Sequence, residues 1–197
     1  MNWKNEILEV IELQKEYKLK RSKAKSAYKK FKNKINYFYF LDVILSPKKA
    51  NNRNEDDLLE VAIKDLLNSI GIKSIIPLTK KDVDIKSKFK RLKFGIEVKN
   101  GNFPSENDLF QAHKYAIRAE REYHPLVIWN NTTTNQEFDS SRILDAELNK
   151  YGIMTTKELY KGYIKLKRNQ ITFDNFINQI NKSGIIKFSN KSLKTSL

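Results

Sequence analysis

Three residues, Asp84, Glu97 and Lys99, are spaced so that two neighbouring strands would bring them together. Residues 82–88 and 93–99 alternate between apolar and polar positions, as half-buried strands do. Because strand side chains alternate between the faces of a sheet, Asp84 and Glu97 are expected on one face, with Lys99 beside Glu97. Two carboxylates around an open position are the minimal protein ligands of Mg²⁺. A lysine beside them would polarise an attacking water or offset phosphate charge, so the set predicts metal-dependent phosphate chemistry.

The acid–x–lysine pattern is short and therefore weakly specific. The sequence contains it three times, as Glu16-Tyr17-Lys18, Asp84-Ile85-Lys86 and Glu97-Val98-Lys99. The last copy alone follows a predicted strand that carries an acid. Asp82 shares the predicted face of Asp84, so the first metal ligand stays open between these two. The alternative for the whole set is a group of surface ion pairs on a solvent-facing hairpin.

The elements around these residues predict an α/β fold. A helix, three strands, a second helix and a fourth strand are expected, in that order, at 54–70, 73–78, 82–88, 93–99, 105–123 and 125–129. The second helix begins with a capping box of Ser105 and Asp108. Beyond this α-β-β-β-α-β core, a helix closed by Gly152, a short strand and two more helices are expected at 141–151, 153–155, 156–167 and 172–181.

Positive charge is concentrated near the beginning of the chain. The 197 residues carry 38 lysines and arginines against 23 acids, a net charge of +15, and residues 15–34 hold ten basic residues and one acid. Residues 1–46 show helical periodicity, and this basic extension predicts a polyanionic partner, either nucleic acid or an anionic membrane. A solvated helix face is the alternative. The candidate nucleic-acid-binding residues are Lys18, Arg21, Lys25, Lys29, Lys32, Lys90 and Arg91.

Several function classes are excluded by composition. The chain has no cysteine, which removes disulfides, thiolate zinc sites, iron–sulfur clusters and a cysteine nucleophile. Phosphate-cradling glycine loops and the zinc-protease motif are absent, so no nucleotide cofactor is expected. No apolar stretch is long enough to span a membrane, and the expected location is the cytoplasm.

The arrangement Asp84, then Glu97-Val98-Lys99, resembles the PD-(D/E)xK nuclease superfamily, which has the restriction-endonuclease-like fold. The resemblance covers residues 54–130 and extends to Glu60 on the preceding helix. Gln111 and Tyr115 on the following helix resemble the QxxxY motif of RecB-like nucleases. Val83 stands where the family has proline, which adds to the ambiguity of the first acid.

The resemblance implies a mixed central sheet flanked by helices, with the basic helical extension at 1–46, a nuclease-like domain at 54–188 and a polar tail at 189–197. It implies that Asp84, Glu97 and the Val98 carbonyl bind Mg²⁺, with Mn²⁺ as an alternative. Glu60 would support the metal, directly or through a water. Lys99 would act on the water or the phosphate, while Gln111 and Tyr115 would position the phosphate.

The resulting expectation is a Mg²⁺-dependent deoxyribonuclease that hydrolyses phosphodiester bonds with a metal-activated water. Holliday-junction-resolvase-like, restriction-like and RecB-like roles all stay open, and a homodimer is expected because many such enzymes cut two strands. The alternative is a non-catalytic DNA-binding or architectural protein on the same fold. A third alternative, membrane association through the basic extension, is weaker and rests on the aromatic cluster at 37–40.

Overall fold

The computed structural model describes residues 53–77, 83–118, 122–131 and 136–188. The predicted basic extension at 1–46 and the polar tail at 189–197 lie outside these residues. So do the candidate metal ligand Asp82 and five candidate DNA-binding residues, Lys18, Arg21, Lys25, Lys29 and Lys32. In the described ranges, no helix combines the length and the apolarity needed to cross a membrane.

The described chain contains five helices and six strands. The helices are α1 (Arg53–Ser69), α2 (Glu106–Arg118), α3 (Ser140–Leu148), α4 (Thr156–Lys167) and α5 (Phe173–Ile180). The strands are β1 (Lys73–Ile75), β2 (Ile85–Phe89), β3 (Leu92–Asn100), β4 (His124–Asn130), β5 (Gly152–Thr155) and β6 (Gly184–Ile185). The predicted order α-β-β-β-α-β is confirmed for the core.

The six strands form one mixed sheet in the order β1-β2-β3-β4-β5-β6. The first three strands pair antiparallel, and β3 to β6 pair in parallel. Strand β3 therefore joins an antiparallel hairpin to a parallel half, and its carboxyl end lies beside the carboxyl end of β4. The expected mixed sheet flanked by helices is confirmed.

Helices cover both faces of the sheet. One apolar layer packs α1, α4 and α5 against the sheet through side chains such as Ile63, Leu159 and Phe176. The other layer packs α2 and α3 against it through Leu109 and Ala146. Trp129, fully buried in the second layer, is a core residue as expected.

Local signals explain most element boundaries. The capping box of Ser105 and Asp108 is confirmed, because the Asp108 amide donates to Ser105 Oγ (3.2 Å) and Asp108 Oδ2 accepts from the Ser105 amide (2.9 Å). Helix α1 ends before Gly71, whose φ of +90° suits glycine. Helix α4 begins after the N-cap residue Thr155, whose hydroxyl accepts a hydrogen bond from the Glu158 amide.

Four predicted boundaries are wrong. Strand β1 ends at Ile75 rather than at 78, and β2 begins at Ile85 rather than at 82, so Asp84 precedes the strand on which it was predicted. Helix α2 ends at Arg118 rather than near residue 123. Helix α3 ends at Leu148, and the reversal comes at Lys150 (φ 61°), so Gly152 does not close the helix. Gly152 instead begins β5, where a Cβ atom would lie 2.8 Å from the Lys182 carbonyl oxygen, and close packing rather than helix termination explains this glycine.

Candidate active site

Glu97 lies in the carboxyl half of β3 and is almost completely buried, with 2% of its surface exposed. Its Oε1 forms a salt bridge with the Lys99 ammonium at 2.9 Å. Strand geometry places these two side chains on one face of β3, as expected from their spacing. This burial argues against the alternative of surface ion pairs on a solvent-facing hairpin.

Asp84 binds the backbone of β3 directly. The pairing of β2 with β3 ends at Ile85–Ile96. Beyond that pair, β2 offers no hydrogen-bond partner to the Val98 amide of β3. Asp84 Oδ2 accepts a hydrogen bond from the Val98 amide at 2.7 Å and satisfies this donor. Since the N–H and C=O groups of one strand residue point the same way, the Val98 carbonyl faces the side of Asp84.

Lys99 is held between two carboxylates. Its ammonium lies 2.9 Å from Glu97 Oε1 and 3.2 Å from Asp108 Oδ1. Asp108 is itself fixed at the beginning of α2, because its Oδ2 accepts hydrogen bonds from the amide and the hydroxyl of Ser105. Asp108 was predicted only as a capping residue, and that capping box was the one signal that could have placed it near the site.

The carboxylates and the ammonium shift one another's protonation. Burial and the charge of Asp84 raise the pKa of Glu97 to about 7, against the opposing effect of Lys99. Burial alone would lower the pKa of Lys99, but Glu97 and Asp108 outweigh it and raise that pKa. Burial opposes ionisation of Asp108, yet the hydrogen bonds from Ser105 and the charge of Lys99 lower its pKa. Lys99 is therefore a stable ammonium.

The site fits a hard divalent cation with a small set of protein ligands. Within the described ranges, the buried Glu97 Oε2 accepts no hydrogen bond, which leaves one carboxylate oxygen available to a cation. Together with Asp84 and the Val98 carbonyl it forms an all-oxygen donor set of the kind that Mg²⁺ prefers. No cluster of three or more histidine, aspartate or glutamate ligands occurs among the residues that the structure describes. Such a cation would keep several waters.

The remaining candidates are placed around this centre. Glu60 is half-buried on α1, the helix that covers the opposite face of the sheet from Asp108, and its role stays a prediction. Gln111 is half-buried on α2, one turn beyond Asp108 and so on the same side of that helix. Position 115 is in α2, but the side chain of Tyr115 lies outside the described part of the chain.

Lys90 and Arg91 are exposed in the turn between β2 and β3. This turn is at the amino end of β3, whereas Glu97 and Lys99 lie near its carboxyl end. The structure therefore separates these two basic candidates from the acidic site along the length of one strand.

Solved structures identify the fold. The chain is similar to restriction endonuclease FokI bound to DNA, with a TM-score of 0.54 and 12% identity over 76% of this chain and 30% of that protein. It is also similar to FokI in a second structure, with a TM-score of 0.51 and 12% identity over 77% of this chain and 31% of that protein. The chain thus spans less than a third of FokI. No protein-family model and no curated protein matches the sequence. The described domain has the restriction-endonuclease-like fold.

Proposed function

We propose that the protein is a metal-dependent deoxyribonuclease that hydrolyses phosphodiester bonds. The observation that carries the proposal is the buried Glu97 carboxylate, which has one oxygen paired with Lys99 and one without a hydrogen-bond partner among the described residues. A buried carboxylate is costly unless its charge is compensated. A cation at this carboxylate would supply that compensation.

Asp84, Glu97 and the Val98 carbonyl are the groups that would hold Mg²⁺, or Mn²⁺ in its place. When bound, the cation would lower the pKa of a water and offset negative charge on the phosphate. Asp84 contributes in a second way, because its hydrogen bond to the Val98 amide fixes the backbone segment that bears the carbonyl. The Asp84 carboxylate and the Val98 carbonyl are therefore held in position by the same hydrogen bond.

Of the two roles considered for Lys99, acting on the water or on the phosphate, we propose the second. Two neighbouring carboxylates raise its pKa, so it does not take a proton from water at neutral pH. As a permanent cation it donates hydrogen bonds and stabilises the negative charge that accumulates on the phosphate. Asp108 positions that ammonium from α2, and Gln111 on the same side of the helix is proposed to contact the phosphate.

DNA is the proposed substrate. FokI, whose fold this chain shares, was solved bound to DNA. The chain also carries a net charge of +15, which favours binding to a polyanion. A homodimer that cuts both strands is part of this proposal.

The test is a cleavage assay on supercoiled plasmid, linear duplex, single-stranded DNA and a four-way junction, each with Mg²⁺, Mn²⁺ or EDTA. The test variant is Glu97→Gln, which keeps the shape of the side chain and removes its charge. The matched control is Glu137→Gln, at an exposed glutamate outside the site. We expect metal-dependent cutting by wild type and control, and a loss of at least about hundredfold in Glu97→Gln.

Retained cutting by a folded Glu97→Gln protein would remove Glu97 from the site. Binding of all four substrates without cutting of any would favour the non-catalytic DNA-binding protein instead. The preferred substrate of the wild type would distinguish junction-resolving, restriction-like and exonuclease roles.

A further inference from the structure

Three lysines stand in one row across the antiparallel part of the sheet. Lys73 of β1 lies directly opposite Lys88 of β2, and Lys88 lies directly opposite Lys93 of β3. Residues directly opposite each other share a face, and like charges in such positions destabilise a sheet. The fold therefore tolerates an unfavourable arrangement at this place.

The face that bears the row is open to solvent. Lys73 and Lys88 are exposed, and Ile75, two residues beyond Lys73 on the same face, is 62% exposed. On the other face of the same strands, Ser74 and Ser87 are buried and hydrogen-bonded to each other at 2.7 Å. Among the described residues, helices thus cover one face of β1 and β2, and none covers the lysines on the other face.

An aromatic ring and a fourth lysine complete this surface. Lys86 occupies the next position on the same face, opposite Ile75 and Gly95. The ammonium groups of Lys86 and Lys93 lie 5.7 Å and 5.6 Å from the centre of the Tyr123 ring. Both ammonium groups therefore make cation–π contacts with the Tyr123 ring.

Protection of a sheet edge does not explain the row. Lysines on edge strands prevent pairing with other chains, and Lys73 on β1 fits that role. Lys88 and Lys93 belong to β2 and β3, which have partners on both sides, so the edge argument does not apply to them. Glu122 pairs with Lys93 at 2.7 Å and offsets part of the charge.

We propose that this surface, hereafter the lysine face (Lys73, Lys86, Lys88, Lys93 and Tyr123), binds the phosphate backbone of the DNA strand that enters the Glu97 site. The identity of the partner rests on the proposed function. Lys93 and Glu97 are four residues apart on β3, roughly 13 Å along the strand, so one DNA segment reaches both. The basic segment 15–34 is not a suitable occupant, because it carries the same sign of charge.

The test compares two double variants of the full chain that remove the same charge. Lys73→Gln with Lys88→Gln removes two members of the lysine face. Lys167→Gln with Lys187→Gln is the control, since these two exposed lysines lie away from the lysine face. Lys167 ends α4, in the helical layer on the opposite face of the sheet, and Lys187 follows β6, the strand at the other edge. Binding to labelled single-stranded and duplex oligonucleotides is measured in EDTA over a range of salt concentrations, so that no cutting interferes.

We expect the lysine-face variant to bind DNA about tenfold or more weakly than the control near 0.1 M salt, with a salt dependence reduced by about 1.5 to 2 in log–log slope. Its thermal midpoint should not fall, because a repulsive pair is removed. Equal affinity and slope in the two variants would overturn the proposal. So would a selective loss of binding to vesicles containing phosphatidylserine with unchanged DNA binding.

The two proposals fail separately. If wild type cuts DNA and the lysine-face variant binds and cuts like its control, the lysine face is refuted and the nuclease stands. If wild type never cuts but the lysine face determines DNA affinity, the nuclease is refuted and the DNA-binding surface is supported.

Discussion

Strand β3 carries a lysine–carboxylate pair near each end, and the two pairs differ in burial rather than in distance. Lys93 lies 2.7 Å from Glu122, whose side chain is 58% exposed. Lys99 lies 2.9 Å from Glu97, whose side chain is 2% exposed. Exposed pairs contribute little to stability, whereas burying a pair has a desolvation cost that the attraction often fails to recover. Stability therefore does not explain why Glu97 and Lys99 are buried together, and their burial agrees with the proposed role in phosphate chemistry.

The surroundings create this difference. At the amino end of β3, the partner glutamate lies outside the helical layers, and Tyr123 contributes a cation–π contact to Lys93. At the carboxyl end, α2 brings Asp108 to the ammonium, and Asp84 occupies the backbone edge. The same strand thus supports a solvated cationic surface at one end and a partly buried acidic site at the other.

The largest expected effect comes from removing the lysine of the buried pair. Lys99→Met should reduce the single-turnover cleavage rate at saturating DNA by about hundredfold or more, because the cation that stabilises charge on the phosphate is lost. The protein should still fold, since the buried Glu97 can take up a proton. Lys93→Met should mainly raise the DNA concentration needed for half-maximal rate.

Cleavage rates over a range of DNA concentrations, with circular dichroism to verify folding, separate these outcomes. Equal losses of saturating rate in the two methionine variants would refute the distinction between the two ends of β3.

A smaller effect is expected at Asp108, which belongs to both the site and a helix cap. Asp108→Asn can still accept the Ser105 amide but loses the charge that faces Lys99, so the saturating rate should fall about tenfold with little change in DNA affinity. Ser105→Ala keeps the Asp108 carboxylate and removes a capping hydroxyl, which should destabilise the protein by about 1 kcal/mol. Rate assays and thermal unfolding of both variants test this split. A parallel loss of rate and stability in both would make Asp108 purely structural.

Local patterns predicted most of the fold. Alternation at 93–99 and the apolar run at 125–129 identified β3 and β4, because residues at these positions face either a core or a polar site. The boundary at Gly152 failed for a non-local reason: that glycine is required by contacts with Ile186 and Lys182, which no nearby residue indicates.

The candidate site was predictable to the level of strand geometry. Period-two spacing put Glu97 and Lys99 on one face of β3, where they form an ion pair. Asp84 lies just before β2 rather than in it, and it reaches β3 by accepting a hydrogen bond from the Val98 amide, which the spacing did not predict. The burial of Glu97 and the contact of Asp108 depend on how α2 docks against β3, which spacing does not determine. The row of Lys73, Lys88 and Lys93 depends on the strand register, which spacing does not determine either. The sequence therefore indicated only the basic residues of the β2–β3 turn.

The smallest expected effect is a pH dependence of stability that differs between the two glutamates. Burial raises the pKa of Glu97 from 4.5 to about 7, so between these values the folded protein binds a proton that the unfolded chain has released. Stability without divalent cations should therefore fall as pH rises from 4.5 to 7, with a slope of at most about 1.4 kcal/mol per pH unit from this group. Urea unfolding in EDTA at several pH values measures the slope.

Glu97→Gln should flatten this dependence, because glutamine mimics the protonated form at every pH. Glu122→Gln should leave it unchanged in that window, since the hydrogen bond from Lys93 lowers the pKa of Glu122 and its titration lies below the window. Equal slopes in wild type and Glu97→Gln would show that Glu97 stays ionised in the folded protein. Lys99 and Asp108 would then compensate the buried charge by themselves, and the argument that Glu97 requires a cation would lose its basis.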